Sequence, residues 1–172
     1  MKTRRVRRTL LVVGEGQTET AFLGFLRSLY CADNDGVGVT IRNAKGRGPS
    51  NVIGYAVKIG KRNDFDRCVA LLDTDIPWKA EDERMAKRYA IRLIGSNPCV
   101  EGLFLSILGE RVPEASSDCK KAIRGKYRGL DLTRKESYAE LFDKGRLEAA
   151  RGRIDALDEL LRSFEGQWKG NY

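Results

Sequence analysis

The sequence predicts an α/β protein: a mostly parallel, four-stranded sheet with helices on both faces and extra helices at the carboxyl end. Three observations carry that expectation. Short apolar runs alternate with stretches of helical period in the order β-α-β-α-β-α-β-α, and such alternation builds parallel sheets joined by crossover helices. The first run, Leu10-Leu11-Val12-Val13, is apolar at every position, as suits a strand covered on both faces. Beyond residue 112 the periodicity is purely helical. The expected division is therefore an α/β core over residues 1–112 and a helical extension over 113–172 packed on it.

In chain order, the first strand runs into Gly14-Glu15-Gly16, where Gly16 permits a tight turn. Thr18 reads as the N-cap of a helix over 18–30 with Ala21, Phe22, Phe25, Leu26 and Leu29 on one face. Asp33-Asn34-Asp35-Gly36 supplies turn chemistry. Val37, Val39 and Ile41 alternate along a second strand, and the basic loop Lys45-Gly46-Arg47-Gly48-Pro49-Ser50 precedes a helix over 51–61. A third strand over 68–72 ends on Asp73-Thr74-Asp75, followed by Ile76-Pro77-Trp78 and a charge-laced, solvent-facing helix over 80–89. A fourth strand spans 90–94. Asn97 then reads as N-cap and Pro98 as the first residue of an apolar, buried helix reaching 108. Helical patterns follow over 117–127, 134–142 and 147–164.

Composition narrows the function classes. Hydrophobic residues make up 41% of 172 residues, so a packed core is expected rather than disorder. The net charge of +8, with clusters at Lys2, Arg4, Arg5, Arg7 and Arg8 and at Lys120, Lys121, Arg124, Lys126 and Arg128, suits a polyanion partner. Four scattered cysteines and no histidine exclude His-containing zinc sites and argue for idle thiols in a reducing cytoplasm. The apolar run after the basic amino end is too short for a signal peptide, and no stretch reaches membrane-spanning length.

Two strands end on acids at the carboxyl edge of the sheet, where open α/β folds place their ligands. Glu15 follows the first strand; Asp73 and Asp75 follow the third and, two apart, are expected to point the same way. If those strands are neighbours, three carboxylates converge, and a hard divalent cation, Mg²⁺ or Mn²⁺, is the natural remedy for their repulsion. Glu19 falls in the first helical turn beside them. With no histidine, hydrolysis there needs a metal-activated water. Taken singly, each acid also has an ordinary reading, as a helix-dipole partner or an Asx turn. Glu101, in an apolar helix, needs a cation, an arginine or the site. Lys45 and Arg47 could hold a phosphate or form a solvated loop; Trp78 could stack on a base or pack on the next helix.

Val13-Gly14-Glu15-Gly16-Gln17-Thr18-Glu19, Leu72-Asp73-Thr74-Asp75 and Ser96-Asn97-Pro98-Cys99-Val100-Glu101-Gly102-Leu103-Phe104-Leu105 together resemble the RloB family over the first two thirds of the chain. These are small TOPRIM-type proteins, similar to the TOPRIM half of OLD-family nucleases and to subunits of bacterial phage-defence systems. The resemblance implies a Rossmann-like TOPRIM fold, with Glu15, Asp73 and Asp75 as catalytic, metal-binding acids and Glu19 and Glu101 as accessory acids. It also implies an ABC/SMC-type ATPase partner. Phe104 stands where the family often has Trp, and the histidine frequent further along that helix is missing. The leading expectation is a Mg²⁺-dependent nuclease, or nuclease-like effector subunit, acting on DNA or RNA. The alternative is a non-catalytic subunit that docks on and regulates the ATPase. A phosphoacceptor receiver domain fits Glu15-Gly16 and the D-x-D spacing poorly, and a DxD nucleotide-sugar transferase usually needs a longer chain. Homo-oligomerisation stays open.

Overall fold

The structure, a computed structural model, describes residues 8–32 and 37–168. The basic run Lys2, Arg4, Arg5 and Arg7 and the turn Asp33-Asn34-Asp35-Gly36 lie outside the described residues. The elements are β1 (Thr9–Gly14), α1 (Gln17–Tyr30), β2 (Gly38–Asn43), α2 (Gly48–Arg62), β3 (Arg67–Asp73), α3 (Ala80–Arg88), β4 (Ile91–Ser96), α4 (Val100–Leu108), α5 (Ser116–Lys126), a 3₁₀ helix (Lys135–Glu140), α6 (Lys144–Arg151) and α7 (Asp155–Phe164). All strand pairs are parallel, in the order β2-β1-β3-β4. The expected α/β architecture is the one observed, Rossmann-like and with the two acid-bearing strands side by side.

The continuous apolar strands follow from burial on both faces. Leu10, Val12, Val69 and Leu71 face one layer, shared with α1, α4 and the carboxyl-terminal helices. Leu11, Val13, Ala70 and Leu72 face the other, against Val52, Ile53 and Ala56 of α2 and Ala86 of α3. Four fully or almost fully buried rings knit the larger layer. Phe104 lies 5.0 Å from Phe22 and 5.3 Å from Tyr138 between ring centroids, and Phe142 completes the group. Each such side chain contributes about 1.5–3 kcal/mol by leaving water, which is what Phe104 does in a helix that the structure confirms as buried.

Several boundaries differ from expectation, each for a local reason. Helix α1 begins at Gln17 and its cap is Gly16, not Thr18. The Glu19 side chain reaches back to accept from the Gly16 N–H, the half of a capping box that needs no side chain on the cap residue. Helix α2 starts at Gly48, with Pro49 in its first turn. Helix α4 starts at Val100 with Cys99 as cap, because Asn97 and Pro98, joined by a cis peptide bond, form the turn that closes β4. The stretch over 134–142 is 3₁₀ rather than α-helical.

The expected helix over 147–164 is two helices, α6 and α7, broken at Gly152 and Arg153. Leu147, Ala150, Leu157, Leu160, Leu161 and Phe164 are nonetheless buried in one core, so the apolar spacing survives the break. Arg151 binds Glu148, Asp158 and Glu165 and ties the two helices together. Arg153 turns back to donate to the Ser106 carbonyl at 2.7 Å and the Ile107 carbonyl at 3.2 Å, at the open end of α4. A cation there meets orphan carbonyls and the negative end of the helix dipole. Arg153→Ala is expected to cost about 1 kcal/mol and to lower Tm by about 2–4 °C in a thermal melt.

Candidate functional site

The acids collect where β1 and β3 end. Pairing of Gly14 with Leu71 and of Asp73 with Ser96 sets the ends of β1, β3 and β4 at one edge. Glu15, half-buried, begins the turn into α1, and its carbonyl accepts from the Gly46 N–H at 2.7 Å. Glu19 is 7% exposed and its Oε2 accepts from the Gly16 N–H at 3.1 Å. The close approach of α1 to β1 depends on Gly14, where a Cβ would stand 3.0 Å from that of Glu19. Burial, followed by the charges of Glu101 and Glu15, pushes the Glu19 carboxyl above its ordinary value and outweighs its backbone hydrogen bonds.

Asp73 is the most constrained acid. Its Oδ1 accepts from Ser96 Oγ and from the Val100 N–H, both at 3.0 Å. Its backbone carbonyl accepts from Trp78 Nε1 at 3.1 Å. Burial, then the Glu19 charge, pushes its pKa up to about 7, with Glu15 and Asp75 adding to the rise and the Ser96 bond opposing it. Asp75 lies past the end of β3 at Asp73, so strand alternation does not set its direction. The exposed Asp75 accepts from Ser116 Oγ at 2.6 Å, at the start of α5. The loop between the two acids is held by the Asn97-Pro98 turn, whose Pro98 carbonyl accepts from the Thr74 and Asp75 N–H groups, each at 3.0 Å.

Glu101 sits in the first turn of α4 with its Oε2 buried and lacking a hydrogen-bond partner. Its charge and that of Glu19 add to burial in raising the Tyr138 hydroxyl, which donates to the Leu132 and Thr18 carbonyls. Cys99, buried beside it, is pushed up to about 12, chiefly by burial, and stays a thiol. None of the four cysteines is in a disulfide among the described residues.

Lys45 and Arg47 are exposed in a loop with four successive positive φ angles, 63° and 72° at these two and 75° and 78° at Gly46 and Gly48. A non-glycine residue there costs about 1–2 kcal/mol, so the loop is imposed by its surroundings. Asn51 Nδ2 donates to the Ala44 and Gly46 carbonyls, and Asn43 Oδ1 accepts from the Lys45 N–H. Trp78 is half-buried, with its ring against Gly95 and its N–H used by Asp73.

The donor set is carboxylate oxygen without imidazole, which matches Mg²⁺ or Mn²⁺ in kind. In arrangement the match is partial. The acids are near enough to repel, as the raised Asp73 and Glu19 show. Yet among the described residues no group of three or more acids and thiols is placed to hold one ion. Two site residues carry no signal of their role in the sequence: Ser96 and Ser116, which bind Asp73 and Asp75. Ser96 was visible only as part of a helix-start motif, and nothing local signalled Ser116.

A parallel sheet with carboxylates, Glu19 buried and Asp73 partly so, at its carboxyl edge and a strained basic loop beside them defines a Rossmann-like α/β protein with an acidic site. Within that class, the chain belongs to the RloB-like family, whose description, RloB-like protein, matches residues 10–163. Among solved structures, it is similar to the C-terminal region of the OLD protein of Xanthomonas campestris pv. campestris, at 16% identity and a TM-score of 0.39 over 98% of this chain and 89% of that one. It is also similar to the C-terminal region of the Burkholderia pseudomallei OLD protein, at 17% identity and a TM-score of 0.37 over 94% and 88%. No match is found among curated proteins. Among the described residues, no helix is long and apolar enough to cross a membrane.

Proposed function

We propose that this chain is a divalent-metal-dependent nuclease, or the nuclease-like subunit of a bacterial phage-defence assembly, working in the cytoplasm on DNA or RNA phosphodiesters. The observation that carries this reading is Asp73. A carboxylate fixed by two hydrogen bonds, one of them a main-chain N–H, and raised to about 7 by burial and neighbouring acids, is a group short of positive charge. Glu15, Asp73 and Asp75 would hold Mg²⁺ or Mn²⁺, with Glu19 and the unpartnered Glu101 oxygen as accessory acids. A bound cation would supply Lewis-acid stabilisation of the phosphate and an activated water. The protein's own residues do the positioning: Ser96 and the Val100 N–H orient Asp73, and Lys45 and Arg47 seat phosphates beside Glu15.

A second reading is favoured by one observation, that the carboxylates are not converged and Asp75 is engaged by Ser116. On that reading the chain is a non-catalytic subunit that docks on and regulates an ABC/SMC-type ATPase. Cleavage assays separate the two. With Mg²⁺ or Mn²⁺ and a panel of single- and double-stranded DNA, RNA and tRNA, the wild type is expected to cut and Glu15→Gln to lose more than the about 10- to 100-fold typical of an outer-sphere partner. Cleavage that survives both this change and chelation would discard the site. No cleavage of any substrate by the wild type, with ATPase activity of the partner altered on mixing, would favour the second reading.

A further inference from the structure

An open groove of about 730 Å³ runs along α1 between the edge strand β2 and the start of the 3₁₀ helix. Its walls include Gln17, Thr20, Gly24, Arg27, Asn43 and Lys135. The spacing of Gln17, Thr20, Gly24 and Arg27 places them on one face of α1, which at about 1.5 Å per residue makes a track about 15 Å long. One end of the track is at the acidic edge. Gln17 is the second residue after Glu15, and Asn43 holds the Lys45 N–H through its Oδ1. Arg27 and Lys135 are exposed, and no carboxylate lines the groove.

From these features we infer that the groove binds the sugar-phosphate backbone of a single nucleic-acid strand and leads it to the acids after β1 and β3. The polyanion rests on the nuclease reading above; the location, the strandedness and the mode of contact are additional. The volume is that of a small-ligand cleft, too small for a duplex. No aromatic side chain lines it, so bases have no stacking platform, and contact is with phosphate and sugar. Binding is therefore indifferent to sequence and steep in salt. Gly24 supports the same assignment. An interior helical glycine costs about 1 kcal/mol relative to alanine, yet a Cβ at this position would meet only Lys135 carbons at 3.7 and 3.8 Å, an ordinary contact. Fold packing does not demand the glycine; an unobstructed groove does.

Fluorescence anisotropy with a labelled single-stranded oligonucleotide, in EDTA so that no cleavage intervenes, tests this apart from catalysis. The double variant Arg27→Glu/Lys135→Glu is expected to bind at least about tenfold more weakly at low salt, and Arg27→Gln/Lys135→Gln to lower the slope of log K against log salt by about 1.4, at about 0.7 per phosphate contact. Gly24→Leu, which changes no charge, is expected to weaken binding several-fold by filling the groove, and Lys87→Glu, exposed on α3, to leave it unchanged within about twofold. Circular dichroism of each variant establishes that it is folded. The inference is overturned by no binding to the wild type, by equal binding of the groove variants, by a duplex that binds as well as the single strand, or by polyglutamate that competes as well as the oligonucleotide. Groove binding without cleavage under any metal would uphold this assignment while the nuclease reading fails. Cleavage indifferent to the groove variants would do the reverse.

Discussion

Asp73→Asn is expected to melt at a higher temperature than the wild type at about pH 8 and to lose its response to Mg²⁺. The folded-state pKa is raised from 3.8 to about 7, so between those values the folded protein keeps a proton that the unfolded chain has released. Stability then falls as pH rises through that window and is level above it. Asparagine retains an oxygen to accept from Ser96 Oγ and the Val100 N–H, and removes the desolvated charge. Three units would correspond to about 4 kcal/mol, but Asp73 is only partly buried and water screens it. A gain of about 1–2 kcal/mol, or about 2–8 °C, is the realistic expectation. At about pH 5, where the folded carboxyl is mostly protonated, the gain should shrink.

Metal completes the test. A cation that binds only the folded state stabilises by about 2.7 kcal/mol at 100 times its dissociation constant, so Mg²⁺ should raise the wild-type Tm, flatten its pH dependence, and leave Asp73→Asn unmoved. Scanning calorimetry across pH, with and without Mg²⁺, reads all of this. A variant less stable than wild type at pH 8, or one that keeps the full Mg²⁺ shift, would remove Asp73 from the metal site.

The parts of this molecule legible in its sequence are those written in short-range pattern. Leu10-Leu11-Val12-Val13 announces a strand buried on both sides because its odd and even residues really do enter different cores. Glu15 and Asp73 fall at one sheet edge because parallel strands end together. What short-range pattern does not carry depends on contacts distant in sequence. Asp73 and Asp75 are held by different partners, Ser96 and Ser116, 23 and 41 residues away. The break at Gly152 and Arg153 was hidden because α6 and α7 serve one core, and period alone does not distinguish one helix from two coaxial in pattern. Thr18 suits a cap by type, but the helix begins earlier than a cap at that residue allows, with Gly16 as cap and its N–H held by Glu19.

The second large effect is expected at Gly102, inside the motif that carries the family resemblance. Helix propensity alone favours Gly102→Ala by about 1 kcal/mol. Sterics oppose it more strongly. A Cβ at 102 would lie 2.6 Å from the Asn97 carbonyl oxygen, 2.8 Å from Pro98 Cδ and 3.2 Å from the Asn97 carbonyl carbon. None of these atoms is the end of a flexible side chain, so relief requires α4 and the Asn97-Pro98 turn to separate. Overpacking of this kind costs about 1–3 kcal/mol. The separation would also act on the site: the Val100 N–H holds Asp73 Oδ1, and the Pro98 carbonyl holds the Thr74 and Asp75 N–H groups. Set against the propensity gain, Gly102→Ala is therefore expected to lower Tm by up to about 8 °C, to weaken the Mg²⁺ response and to bring the Asp73 titration, followed by carboxyl NMR, back toward 3.8 as the carboxylate gains water. Gly24→Ala is the matched control, with room for its Cβ and the same propensity gain, and should raise Tm slightly. If the two variants melt alike, the close approach of α4 to the turn is not what positions Asp73, and the run from Ser96 to Gly102 would need another physical reason.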